Sequence, residues 1–400
     1  MISRDPLDAL DREDSLAGFR DQFELPENIV YLDGNSLGPM PRRTLARMID
    51  VVREEWGQTL IRSWNEHDWI SMPQRVGDGI AKVVGAAEGE VIAADSTSIN
   101  LFKLLAAACR MRPDRRVILT EAGNFPTDIY IAEGLISLLG DGYELRAVEK
   151  AEIQSAIDDS VAVAVLTHVD YRTGEMLDMA AVTRTAHDVG ALMLWDLSHS
   201  AGAVPVALAA ADADFAVGCG YKYLNGGPGA PAFLFVAKRI QAAARQPLSG
   251  WMGHAAPFEF EPGYRPADGI LRHLCGTPPI IAMAALEEGV TLFLEAEMEE
   301  IRRKSVLLSE CFIALVEQEC DGHGFELASP RDAARRGSQA SFRHRNGYAI
   351  MQALIARGVI GDFRTPDILR FGFAPLYVSF ADVWRAVAML KEVMITAAVT

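Results

Sequence analysis

Between about residue 90 and residue 240, short and continuously apolar runs alternate with longer stretches in which apolar positions recur every three or four residues. The runs are VIAA (91–94), VILT (117–120), VAVAVLT (161–167), ALMLW (191–195), FAVG (215–218) and APAFLFV (230–236), and YELRAV (143–148) is read as a seventh. Runs without polar alternation are the pattern of strands covered on both faces. Intervening segments such as AAVTRTAHDVG (180–190) read as crossover helices. The pattern predicts an α/β fold whose large domain holds a mostly parallel seven-stranded sheet.

Outside this region the texture differs. Residues 44–57 place Leu45, Met48, Ile49, Val52 and Trp56 on one stripe, predicting a helix that leads into the large domain. Residues 291–318 predict one long charged helix, followed by short strands and a last helix that opens on Ser379, Phe380, Ala381 and Asp382, a capping-box sequence. A large domain over 45–290 and a smaller α+β domain built from 1–44 and 291–400 are expected. There is no internal repeat and no low-complexity linker.

With 50% apolar residues, the 400-residue chain has enough material for such a core. Its 54 acidic and 38 basic side chains give a net charge of −16, which disfavours a nucleic-acid partner and requires a local arginine for any anionic substrate. Five cysteines, widely spaced and without a CxxC pair, argue against a disulfide framework or zinc site and suit a reducing cytoplasm. No HExxH occurs among the histidines, so no metal is expected. The polar, acidic N-terminus lacks an apolar h-region and no apolar run reaches eighteen residues, so neither secretion nor a membrane span is expected.

The candidate chemistry lies in residues 195–225, where Asp196 ends one apolar strand and Lys222 follows the next. Open α/β sheets bind ligands beyond such strand ends. A carboxylate and an amine there suit a cofactor that has a basic ring nitrogen and an aldehyde. Ser96, Thr97 and Ser98 lie between a strand and a helix, where free N–H groups and the helix dipole favour a phosphate. Each residue also has a plainer role: Asp196, Ser96 and Thr97 as caps, Lys222 as a solvated charge, His199 as a buried imidazole bonded to backbone, Phe125 as core and Arg370 in a surface ion pair.

The blocks YLDGNSLG (31–38), IRSW (61–64), DSTSINLFK (95–103), NFPTD (124–128), VDYRTG (169–174), WDLSHSAGAVP (195–205), GYKYLNGGPG (220–229), QPLSGWMGH (246–254), CGTPPI (275–280) and LRFGFAPLY (369–377) span almost the whole chain. In content and order they resemble the fold-type I pyridoxal-phosphate enzymes and, within them, the bacterial kynureninase family. The resemblance implies pyridoxal 5'-phosphate held on Lys222, with Asp196 on the ring nitrogen and His199 orienting that carboxylate or the ring. It places Ser96, Thr97 and Tyr221 on the phosphate, Phe125 stacked on the ring, and Pro126, Thr127, Asp128 and Thr167 in contact with the cofactor. Trp251 and Thr277 would reach the phosphate from a second subunit, implying a homodimer with shared sites. Asn35, Ser36, Trp64 and Gly276 would wall the substrate, and Arg370 would take its α-carboxylate.

The implied reaction is hydrolytic Cβ–Cγ cleavage of L-kynurenine to anthranilate and L-alanine in tryptophan degradation. Lys222 would move protons, Asp196 would hold the ring charge and Tyr221 would act as an acid. Trp64, Gly276 and Thr277 match the kynurenine-preferring pattern, which makes 3-hydroxykynurenine the poorer substrate. The alternatives are an aminotransferase, a cysteine desulfurase with Cys320 as nucleophile, or a non-catalytic pyridoxal-phosphate protein.

Overall fold

Seven strands, all buried except the edge strand Glu144–Val148, form the central sheet of the computed structural model, which describes residues 4–140 and 142–397. They are β1 (Val91–Ala93), β2 (Val117–Glu121), β3 (Glu144–Val148), β4 (Val161–Thr167), β5 (Leu192–Asp196), β6 (Phe215–Gly218) and β7 (Phe233–Val236). Their order is β1-β7-β6-β5-β4-β2-β3, with β7 antiparallel to both neighbours and every other pairing parallel. These are the seven runs expected from the sequence, and the mostly parallel arrangement agrees.

Period-two geometry sends alternate residues of one strand into two different cores. In β5, Met193 and Trp195 join the core on one face, while Leu192 and Leu194 join the other. Helices Thr97–Met111 and Pro126–Leu139 cover the second face with Leu101, Leu104, Ala132 and Leu135. Helices Met72–Val83, Met179–Asp188 and Ile280–Leu294 cover the first with Ile80, Val182 and Leu286.

The C-terminal part carries a four-stranded antiparallel sheet whose order is Asp362–Arg364, Ile368–Gly372, Gln339–Arg343 and Glu326–Leu327. The N-terminal segment joins it through Val30–Tyr31, which pairs with Val359–Ile360. The capping box forms as expected: Asp382 Oδ2 accepts the Ser379 N–H and Ser379 Oγ accepts the Asp382 N–H, each at 3.1 Å. Asp11 adds acceptors for the N–H groups of Phe380 and Ala381 at 2.8 Å, which ties the first helix to the last. No helix among the described residues is long and apolar enough to cross a membrane.

The helix expected to lead into the large domain forms over Arg42–Thr59, and one local expectation is corrected. The helix expected over 291–318 is broken: Ile280–Leu294 ends, and Met298–Glu319 starts after an extended Glu297. The acidic run marks a helix start, because Glu299 and Glu300 in a first turn face the positive end of the dipole. The stripe at 44–57 faces outward. Helix Arg42–Asp50 passes into a wider π-type turn over Val51–Thr59 that buries Thr44, Val51, Glu55 and Thr59 instead. Glu55 is satisfied there by Arg47 at 2.5 Å and by the Trp69 indole at 2.6 Å. Leu45 and Trp56 are left 55% and 57% exposed, with Leu60 and Ile61 further out at 60% and 77%. Trp56 lines a cavity of about 1150 Å³ together with Leu25, Tyr31, Met40, Met48, Trp69 and Ile280.

Candidate active site

Because β4, β5 and β6 are parallel, their carboxyl ends come together, and Thr167, Asp196 and the segment leading to Lys222 meet at one edge of the sheet. Asp196 is buried and its Oδ1 accepts the Ser198 N–H at 2.7 Å. His199, in the turn that follows, lies with its Nε2 3.0 Å from Lys222 Nζ. Burial and the positive charges of Lys222 and Arg370 hold the imidazole neutral, well below its usual range, and its Nδ1 is buried without a partner.

Pro126 starts the next helix at a position where a missing N–H costs nothing, and that helix places Asp128 in the same site. Thr167 donates to Asn124 Oδ1 at 2.5 Å and lies 3.4 Å from Asp128 Oδ2. Thr127 is half-buried beside it. Burial, then the neighbouring Asp196, pushes the Asp128 carboxyl well above its usual range, and burial raises Asp196 as well. Two buried carboxyls beside a neutral imidazole leave the site in need of a cation. The protonated ring nitrogen of pyridoxal phosphate meets that need.

Phe125 is exposed on one side, with its ring centroid 6.0 Å from Lys222 Nζ and its edge packed by Tyr171 at 5.1 Å. The Tyr221 ring lies 5.8 Å from the same amine, and burial pushes its phenol up to about 12. Ser96 caps helix Thr97–Met111, its Oγ accepting the Ile99 N–H at 3.4 Å. Thr97 and Ser98 are half-buried at that N-terminus. An anion there meets free N–H groups and the dipole, so the residues present fit the phosphate of the cofactor.

The turn at 33–38 is fastened to the lysine segment by the Gly38 N–H, which donates to the Tyr221 carbonyl at 2.8 Å. Gly38 has no room for a side chain, since a Cβ would meet Asn225 Cα at 2.8 Å as well as the Lys222 carbonyl. From this turn Ser36 reaches Arg370 at 3.0 Å. Asn35 is fully buried, with its Nδ2 3.5 Å from Gln339.

Arg370 is 1% exposed, so it is not a surface ion pair. Its Nε and Nη2 form a side-on pair with Asp362, the former at 2.6 Å, and Nη1 donates to the Tyr171 carbonyl. Burial opposes the charge on Asp362, but the Arg370 hydrogen bonds and charge hold its carboxyl below the usual range. Asp362 was missed in the sequence. Its signal was available: in the hairpin 362–372, Asp362 stands directly opposite Arg370 across the strands. Asp33 and Asn124, inside the quoted blocks, were also passed over.

Other expected site residues lie apart in this single chain. Among the described residues, no hydrogen bond or ring contact links Trp64, Trp251, Gly276 or Thr277 to Lys222, Asp196 or Arg370. Trp64 packs edge-on against Trp69 at 6.0 Å and Trp251 against Phe258 at 5.7 Å, while Gly276 and Thr277 are exposed. Cys320 is buried at a helix end with its thiol pushed up to about 11, which does not suit a nucleophile on a mobile loop.

The chain matches the model of the kynureninase C-terminal domain over residues 301–390. It is 57% identical to the kynureninase of Burkholderia pseudomallei (strain 1106a), covering 100% of this chain and 97% of the relative. It is 54% identical to the kynureninase of Pseudomonas fluorescens, covering 98% and 96%. Among solved structures, the fold is similar to a cysteine desulfurase from Thermococcus onnurineus NA1, with a TM-score of 0.80 at 18% identity over 95% of this chain and 98% of that one. The cysteine desulfurase CsdA from Escherichia coli superposes with a TM-score of 0.77 at 17% identity over 96% and 99%. At those identities the likeness concerns the fold, whereas the full-length relatives fix the family: the chain belongs to the kynureninases.

Proposed function

We propose that the protein cleaves L-kynurenine hydrolytically between Cβ and Cγ, releasing anthranilate and L-alanine. The observation that carries this reading is the convergence of an amine, two buried carboxyls and a buried arginine fork on one strand-end site. Pyridoxal 5'-phosphate is the cofactor; when bound it supplies an aldehyde and a ring that takes up electrons from the substrate's carbon skeleton.

The chain's own residues divide the remaining work. Lys222, whose amine stands 3.0 Å from a neutral His199, holds the cofactor and moves a proton at the substrate Cα. Asp196, with Asp128 beside it, keeps the ring nitrogen protonated. Phe125 stacks on the ring, Thr127 and Thr167 contact it, and Ser96, Thr97 and Tyr221 bind its phosphate. Arg370, aimed by Asp362, takes the α-carboxylate through its remaining N–H edge as Ser36 gives way. Asn35 and Ser36 form the adjoining wall. Tyr221, kept protonated by a phenol pushed up to about 12, returns a proton to Cβ after bond breakage. One water is consumed at the γ-carbonyl, and its oxygen leaves in the anthranilate carboxylate.

A homodimer completes the site in this reading. A second copy covers the outward stripe of Leu45, Ile49, Val52 and Trp56 and brings its own Trp251, Gly276 and Thr277 to the cofactor and substrate. The setting is the cytoplasm. With Cys320 buried, nothing favours a desulfurase.

Purified holoenzyme given L-kynurenine is expected to release anthranilate and alanine in equal amounts, followed by anthranilate fluorescence and amino-acid analysis. Release of neither product would overturn the reading. Side by side, L-kynurenine is expected to give a kcat/KM about tenfold or more above that of 3-hydroxykynurenine, since the resemblance to kynurenine-preferring enzymes sets the large ring of Trp64, in the assembled dimer, in the space an added hydroxyl needs. A reversed ratio would remove that role from Trp64.

A further inference from the structure

Behind Arg370 lies a partly buried charge cluster, with Arg364 at its solvent edge, larger than carboxylate binding requires. Asp362 pairs with Arg370 and also with Arg364, at 2.9 Å. A second carboxyl, Asp33, stands on the turn that carries Asn35 and Ser36 and interacts electrostatically with Asp362, Arg370 and Arg364. Its carbonyl accepts the N–H groups of Ser36 and Leu37, at 2.9 and 3.0 Å, which fixes the turn. Its side-chain Oδ1 is buried and accepts no hydrogen bond among the described residues. Tyr377 closes the back of the turn against Gly34, and its hydroxyl is likewise buried with no hydrogen-bond partner among the described residues.

The charges sum to zero when all are ionised: Arg364 and Arg370 against Asp33 and Asp362. Docking a substrate carboxylate on Arg370 adds one negative charge. Burying a net charge in a medium of low polarity is costly, and a group near its own titration point relieves that cost by binding a proton. Asp362 cannot serve, because Arg370 holds its carboxyl low. Asp33 has an oxygen free to carry the proton and no side-on arginine of its own.

We propose that Asp33 takes up one proton from solvent when the substrate's α-carboxylate docks on Arg370, so that the partly buried cluster stays neutral. This rests on the kynureninase reading above. The ionisation of Asp33 supports it: burial, then the charge of Asp362, pushes the carboxyl up to about 7 before any substrate is present. The titratable and charged groups that face Asp33 are Tyr31, Tyr223, Asp362, Arg364, Arg370 and Tyr377. The three tyrosines are all held above their usual range and stay neutral, so none competes for the proton.

The sign follows from linkage. Below pH 6 Asp33 is already protonated, and carboxylate binding is independent of pH. Above pH 7 each bound carboxylate draws in a proton, so affinity falls as pH rises, by up to about tenfold per unit.

The test uses holoenzyme and 4-(2-aminophenyl)-4-oxobutanoate, which keeps the carboxylate and the aminophenyl ketone but has no amine to react with the cofactor. 2-Aminoacetophenone, without the carboxylate, is the control. Titration calorimetry in two buffers of different ionisation enthalpy is expected to show uptake approaching one proton per site at pH 8 for the acid and none for the ketone. Asp33→Asn, a neutral isostere, is expected to bind the acid without uptake and with a Kd flat from pH 6 to 8.5. Should that variant fail to fold, difference infrared spectra of the wild type are expected to gain a protonated-carboxyl band on binding the acid.

Wild-type binding without proton uptake, uptake that persists in Asp33→Asn, or equal uptake with the ketone would each overturn the proposal. Turnover of L-kynurenine without uptake would remove this inference and leave the functional reading standing. Absence of both turnover and binding would remove both.

Discussion

Replacing Lys222 with alanine abolishes anthranilate release, with kcat for L-kynurenine lowered by at least about 10⁴-fold, the upper end for loss of a positioned proton carrier. No neighbour can substitute. His199 lies 3.0 Å from that amine, but burial, the largest influence on it, makes its imidazole too weak a base to take the Cα proton, and Tyr221 is pushed to about 12. The fold is expected to survive, because truncation at the strand end leaves both apolar cores untouched. Anthranilate fluorescence over hours, with circular dichroism and the melting temperature as controls, measures it. A folded Lys222→Ala enzyme within tenfold of the wild type would show that another group moves the proton.

Arg370→Ala is the second large effect, and it acts twice. Substrate affinity falls because the planar donor for the α-carboxylate is gone, with a loss of about 10²-fold or more in kcat/KM carried mainly by KM. Stability falls as well, by about 3 kcal/mol or more, because Asp362 stays buried without its side-on partner. Arg370→Lys separates the two. An ammonium restores part of the charge balance beside Asp362, so the melting temperature recovers, but it cannot present two parallel N–H groups, so KM stays high. Equal recovery of both would mean that Arg370 serves the cluster and not the substrate. Steady-state kinetics beside thermal melts decide it.

Much of this arrangement was legible in the chain. Strands buried on both faces announce themselves as unbroken apolar runs, which is why β4 was found to the residue. The Ser379–Asp382 capping box was legible because both of its hydrogen bonds depend on residues three apart. The motif blocks located Asp196, His199 and Lys222, and the parallel strands bring their ends together.

What was hidden depends on longer-range or off-period geometry. The stripe of Leu45, Ile49, Val52 and Trp56 has a sound helical period, yet a π-type turn and the buried Glu55 pair rotate it outward. Hydrophobic periodicity says that a face needs a partner, not whether the partner is in the same chain. Asp362 was hidden because a charged residue in a short strand looks solvated until its register opposite Arg370 is known.

The reach from Ser36 to Arg370 crosses 334 positions of sequence, and Val30–Tyr31 pairs with Val359–Ile360 over a similar span. On the ribosome, the turn proposed to wall the substrate emerges 334 positions ahead of the arginine it reaches. The sheet edge proposed to bear the cofactor is complete in sequence long before the proposed carboxylate fork exists. A nascent chain that stops before Arg370 can therefore assemble the lysine's surroundings but not the proposed carboxylate site, and on this reading recognition of the amino acid follows assembly of the cofactor edge.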